Sequence, residues 1–203
     1  MKHFNFSGSF GFDVCLFLGL TLLNITAVVI KSFVTNEAII DDSDLKHLAL
    51  SRLITAIIVV PFFEEFVFRG YLCLEKKIYV VLFTIALLFL VCVFFNSNKF
   101  IIACVLIFSF LMLFCSSVNT MVVGYINTHL LVFIIISSIL FGVMHFTNYD
   151  KFEYVNLLII VPKILVGVFL SYITLKYNIF LAYAFHGINN FIPFIMIYFY
   201  SIK

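Results

Sequence analysis

Glu64, Glu65 and Arg69 stand in PFFEEFVFRG (61–70), inside an apolar run that begins near Leu53. Two histidines occupy similar settings: His145 in ILFGVMHF, and His186 in AYAFHGINNF with Asn190 four residues on. On a helix, residues four apart share a face, so Glu65 and Arg69 can neutralise one another as a buried, structural pair. Glu64 is turned about 100° from Glu65 and about 140° from Arg69 around the axis, which leaves it as the spare carboxylate. Pro61, one turn earlier, lacks an N–H and is expected to loosen or kink the helix just before it.

A spare carboxylate, two imidazoles and an amide are the groups that hydrolysis needs. Glu64 can take a proton from a water molecule, and His145 can orient or share that water. His186 and Asn190 can donate hydrogen bonds to the oxyanion of a tetrahedral intermediate, where one donor is typically worth about 2.7–4 kcal/mol of barrier. A lone histidine in an apolar helix is more often a hydrogen-bonded core residue, and a lone Glu–Arg pair is often a folding device. The four groups together shift that balance, since ionisable residues inside a membrane are functional candidates by default. His129 has no polar neighbour at i±4 and is assigned no role; Asn189 points away from Asn190 and is the weaker amide. HExxH, GxSG and GxGD are all absent. A divalent metal such as zinc on Glu64, His145 and His186 ranks below a metal-free site, because no contiguous two-ligand motif is present.

The elements that must hold these groups are membrane helices. Of 203 residues, 65% are hydrophobic and 11% charged, and mean hydropathy is +1.22; soluble domains are nearer half apolar and a quarter charged. The expected fold is all-α, a polytopic transmembrane bundle of about seven spans near 12–33, 49–74, 78–95, 100–118, 128–147, 155–175 and 179–200. Leu50–Leu74 holds fourteen Leu, Ile, Val and Phe residues, worth roughly −4 to −8 kcal/mol on the insertion scale. Three ionised side chains near its middle cost about +9 kcal/mol. Glu64, Glu65 and Arg69 must therefore face the bundle or a wet cavity.

The rest of the sequence excludes more than it suggests. A net charge of +2 on scattered lysines offers no basic patch for nucleic acid. Five cysteines in apolar segments without CxxC spacing read as small buried residues. The N-terminal MKHFNFSGSFGFDVCLFLGL has no small-x-small cleavage site after its apolar run, so it is read as a retained first span. The acidic stretch TNEAIIDDSDLKH (35–47), with Glu37, Asp41, Asp42 and Asp44, reads as a solvated connector. The lysines divide too evenly between the two sides to set orientation. One domain over 1–203 is expected.

EEFVFR at 64–69 resembles the EExxxR motif of the CPBP family (CAAX protease and bacteriocin-processing, also called Abi) of intramembrane proteases. FGVMH at 141–145 is similar to its FxxxH motif, and HGINN at 186–190 to its HxxxN motif; the three occur in order on separate spans. The resemblance implies a membrane-embedded peptidase without a cofactor, using a glutamate-activated water. Glu64 would then be the catalytic glutamate, His145 its partner, His186 and Asn190 the oxyanion site, and Glu65, Arg69 and Phe141 the supporting residues. It covers 49–74 and 128–200, and leaves 78–118 as an inserted hydrophobic hairpin. The implied partners are the lipid bilayer and a peptide or membrane-protein substrate: a CAAX-type C-terminus, a leader peptide or another membrane protein. The small size favours a bacterial cytoplasmic membrane, where prenylated substrates are the less expected class. Two readings of another class share the polar cluster: a non-catalytic immunity or partner-binding membrane protein, and a small proton-coupled transporter using Glu64.

Overall fold

The apolar runs become helices, and the few polar groups within them decide how those helices meet. The computed structural model describes residues 8–35, 53–94, 98–145 and 154–201. Among the described residues every regular element is helical, so the chain is all-α. The order is α1 (Phe10–Thr35), a π-helical turn (Thr55–Val59), α2 (Val60–Arg69), a 3-10 turn (Gly70–Cys73), α3 (Lys77–Phe94), α4 (Lys99–Phe114), α5 (Ser116–Thr128), α6 (Leu130–Met144), a second 3-10 turn (Tyr154–Asn156), α7 (Leu157–Lys176) and α8 (Ile179–Ser201). The acidic stretch with Glu37, Asp41, Asp42 and Asp44, the connection at 147–153, and Lys2, Lys46, Lys151 and Lys203 lie outside the described residues.

Length and composition do not reproduce a count of seven spans. Three stretches among the described residues are long and apolar enough to cross a bilayer singly: Phe10–Val34, Lys77–Phe94 and Tyr154–Lys176. A fourth exists only if α4 and α5 count as one, and they bend by 104° where they meet. At 1.5 Å per residue, the 15 residues of α6 reach about 22 Å, short of the roughly 30 Å hydrocarbon core. The expected sixth and seventh segments correspond to α7 and α8, and the first to α1.

Within segment 78–118, α3 and α4 pack against one another. α3 and α4 are joined by Thr84, whose hydroxyl donates to Ser109 Oγ at 2.6 Å. Asn98 starts α4 by accepting from the backbone N–H groups of Phe100 and Ile101, which satisfies two of the donors a helix start leaves unpaired. At the bend, Asn119 donates to the carbonyls of Leu74 and Met112. The backbone at the break between α4 and α5 is thereby bonded rather than bare.

α6, α7 and α8 share a core in which Phe141, Val166, Phe169, Leu170, Ile173, Ala182 and Phe185 are buried, and Phe17 of α1 joins it. α6 and α7 touch closely: a Cβ on Gly167 would lie 3.1 Å from Ser138 Cα. Small residues allow such contact in a membrane, where van der Waals packing and hydrogen bonds replace the hydrophobic drive.

α1 is fastened to this core at one end by a buried acid. Asp13 accepts from Tyr172 OH at 2.8 Å, Lys176 Nζ at 2.8 Å and Tyr177 OH at 2.7 Å. Lys176 also donates to the Gly8 carbonyl. Further along, Asn24 donates to Asn189 Oδ1 at 3.4 Å. Asp13→Ala removes the acceptor of three donors at once and is expected to lower the melting temperature by about 5 °C, whereas Cys15→Ala, at an exposed position of the same helix, leaves it unchanged. Thermal unfolding in one detergent, variant against variant, is the measurement.

Candidate active site

Proline shapes the entry to the site. In the π-turn Thr55–Val59, the Val60 N–H reaches back to the Thr55 carbonyl, an i→i+5 bond. The next such bond would run from residue 61 to the Ala56 carbonyl, but Pro61 has no N–H to give. Asn190 fills the vacancy from α8: its Nδ2 donates to Ala56 O at 3.2 Å. The loosening expected ahead of Pro61 therefore takes the form of a π-turn, and its freed carbonyl sets the Asn190 amide. Gly187, one turn before Asn190, allows the approach, since a Cβ there would lie 2.8 Å from Ile57 O.

Beyond the turn, α2 carries the acidic motif. Glu65 and Arg69 are fully buried and paired, with Arg69 Nη1 donating to Glu65 Oε1 at 2.9 Å. Arg69 Nη2 donates to Gly167 O of α7 at 3.3 Å, and the guanidinium carbon lies 4.3 Å from the ring centroid of Phe141 of α6. His186 of α8 places Nδ1 2.8 Å from the same Glu65 oxygen. A carboxylate can only accept, so Nδ1 carries a proton. Arg69 and Glu65 thus gather four helices, and each buried charge meets the opposite charge and one further partner, as low-dielectric burial demands, while Glu65 Oε2 and Arg69 Nε make no hydrogen bond.

That bond decides what His186 can do next. With Nδ1 donating to Glu65, Nε2 is the nitrogen left facing Glu64, 3.3 Å from its Oε2. The atoms are in ion-pair range but out of line for a hydrogen bond. His186 is 1% exposed and stacks edge-to-face on Phe141. The sequence reading set His186 beside Asn190, ready to hold an oxyanion. The structure instead wedges it between the two glutamates, behind Glu64, because Glu65 draws its other nitrogen inward.

Glu64, His145 and Asn190 open on a common space. They line one cavity of about 640 Å³ between α1, the π-turn, α2, α3, α6, α7 and α8, within the size range of small-molecule sites. Glu64 keeps 28% of its side-chain surface. His145 ends α6, and its Nδ1 lies 2.8 Å from the Phe141 carbonyl. A carbonyl can only accept, so the proton sits on Nδ1 and the Nε2 lone pair is left to accept from a ligand. Among the described residues no three His, Cys, Asp or Glu side chains are grouped to hold a metal; His186 Nδ1 is already bonded to Glu65. Asn189, the weaker amide, bonds to Asn24 of α1. His129 lies at the junction of α5 and α6 against Tyr125.

The sequence reading passed over one side chain of the cavity. Lys163 of α7 lines it beside Glu64 and His145. The signal was present: Lys163 interrupts LLIIVPKILVGVFL, and a charge inside an apolar span marks a site more often than not. Asp13 and Asn24 gave the same signal in α1.

The family model for type II CAAX prenyl endopeptidase, Rce1-like, matches residues 46–192. This range encloses all three motifs and segment 78–118, stops short of the end of α8, and leaves α1 outside. Neither a curated protein nor a solved structure matches the chain.

Arg69→Met strands the Glu65 carboxylate in the core and is expected to cost about 3–5 kcal/mol. The double variant Glu65→Gln, Arg69→Met removes both charges and should recover part of that loss. A melting-temperature cycle over the wild type, both single variants and the double variant checks it.

Proposed function

Because the chain belongs to the Rce1-like family of type II CAAX prenyl endopeptidases, we propose that it is an integral-membrane endopeptidase that hydrolyses its peptide with a water activated by Glu64. The observation that carries this reading is that Glu64, His145 and Asn190, from three separate helices, line one cavity. A water there can donate one hydrogen bond to the Glu64 carboxylate and the other to His145 Nε2. Its lone pair is then free to attack a peptide carbonyl.

The steps balance with these groups alone. As the water oxygen bonds to the carbonyl carbon, its proton passes to Glu64. The carbonyl oxygen becomes an oxyanion, and the second N–H of the Asn190 amide, whose first is spent on Ala56 O, is the donor offered to it. The C–N bond then breaks, and the leaving amine takes the proton back from Glu64. A new carboxylic acid and a new amine result, and the acid's remaining proton passes to the amine to leave a carboxylate and an ammonium. His186 is a positioning residue in this scheme: held by Glu65, it sets its Nε2 edge 3.3 Å from Glu64 Oε2 and walls that carboxylate on its inner side.

Substrates of this site are peptides presented at a membrane. CAAX-type C-termini are favoured, with leader peptides and other membrane proteins as the wider class, and a bacterial cytoplasmic membrane is the proposed location. The test uses the full chain in liposomes and a fluorogenic peptide ending in a CAAX-type sequence. Glu64→Gln and His145→Ala are each expected to lower kcat by about 10²–10⁴-fold, the usual range for a lost acid–base group. Equal cleavage by the wild type and both variants would overturn the reading. Flux of substrate driven by pH and abolished in Glu64→Gln, without cleavage, would replace the enzyme with a proton-coupled transporter.

A further inference from the structure

Resting on the endopeptidase reading, we propose that Lys163 is the specificity-determining residue of the site. Its ammonium holds the free C-terminal carboxylate of the peptide, so that the bond cut lies at a fixed distance from the chain end.

The case begins with a charge that no protein group contacts among the described residues. Lys163 sits in the middle of α7, between Pro162 and Ile164, in a helix whose other charge is the terminal Lys176. Lys176 is bonded to Asp13, Tyr172 and Gly8. Lys163, among the described residues, makes no hydrogen bond and no ion pair; it opens on the cavity. Glu64 lies within the range of its field without being in contact, and the Glu64 carboxylate faces His186. An ammonium in an apolar pocket calls for an anion in contact, and Glu64, the one acid lining the cavity among the described residues, is not in ion-pair range of it.

The substrate class supplies it. A C-a-a-X peptide carries a free carboxylate three residues beyond its cysteine. Buried in this cavity, that carboxylate is repelled by Glu64 and needs a cation. Lys163 is the one lysine or arginine lining the cavity among the described residues. Three extended residues span about 10 Å, so the carboxylate and the scissile carbonyl occupy different parts of the pocket. The apolar walls between, including Phe63, Val67, Val93 and Met144, suit aliphatic side chains.

Position along α7 agrees with this placement. Lys163 and Gly167 are four residues apart, about 6 Å along the axis and on one face. Gly167 O receives Arg69, and one turn before Arg69 on α2 stands Glu65, with Glu64 beside it. Lys163 is thereby one turn from the supporting ion pair, on the side where the catalytic carboxylate opens. A lysine suits an end-group better than an oxyanion, because its flexible stem and compact charge follow a carboxylate without fixing a planar geometry.

The experiment compares one CAAX-type reporter as the free acid and as the C-terminal amide, using the full chain in liposomes. The wild type is expected to cleave the acid with kcat/KM at least about tenfold above the amide, the difference lying in KM. Lys163→Met should bring the two peptides to the same KM, and Lys163→Arg should restore part of the preference. Binding of the labelled acid and amide to Glu64→Gln protein reads the same preference without turnover. Preference for the acid there, lost in Glu64→Gln, Lys163→Met, supports the anchor; equal binding of acid and amide sinks it. A preference that survives Lys163→Met, or a Lys163→Met loss confined to kcat and equal for both peptides, also overturns it. Absence of cleavage by the wild type, with the binding preference intact, counts against the peptidase reading alone.

Discussion

A buried arginine facing a buried carboxylate is the constraint from which the rest of this molecule follows. Arg69 and Glu65 have no exposed surface, and charges so placed survive only when each is matched. Matching them recruits α7 through Gly167 O, α6 through the Phe141 ring and α8 through His186. Few other interactions in a bilayer could draw four helices to one point, because lipid tails compete on equal terms with apolar side chains. The ion pair is thus both the assembly point of the bundle and the fixed wall behind the chemistry.

Two devices extend that wall into a site. His186 carries the order of the ion pair outward to Glu64, since its bond to Glu65 leaves the opposite nitrogen facing the second acid. Pro61 does the same for Asn190 by leaving a carbonyl without its helical partner. In both cases a side chain is placed by an unmet hydrogen-bonding need rather than by close packing. Such needs are directional, which suits groups that must meet a reacting atom within a fraction of an ångström.

The sequence made some of this legible and hid the rest for identifiable reasons. The i,i+4 spacing of Glu65 and Arg69 was enough to pair them and to leave Glu64 over, because that depends on one helix alone. The helical class followed from hydropathy. The seven-span count did not carry over, because hydropathy windows see neither the π-turn nor the 104° bend at Cys115. The orientation of His186 was also beyond reach: whether its ring faces the cavity or the glutamates depends on packing between α2 and α8. Lys163 was readable as an intramembrane charge and was missed because it belongs to none of the three motifs.

The cavity's far wall is formed partly by Phe89, Leu90, Val93 and Phe94 of α3. α3 is the first arm of the segment that separates the acidic motif from the first histidine motif, and none of the reacting groups lies on it. Part of the cavity wall therefore sits on a different piece of chain from Glu64, His145 and Asn190. Substitutions along this arm can reshape the cavity while Glu64, His145 and Asn190, on other helices, keep their places.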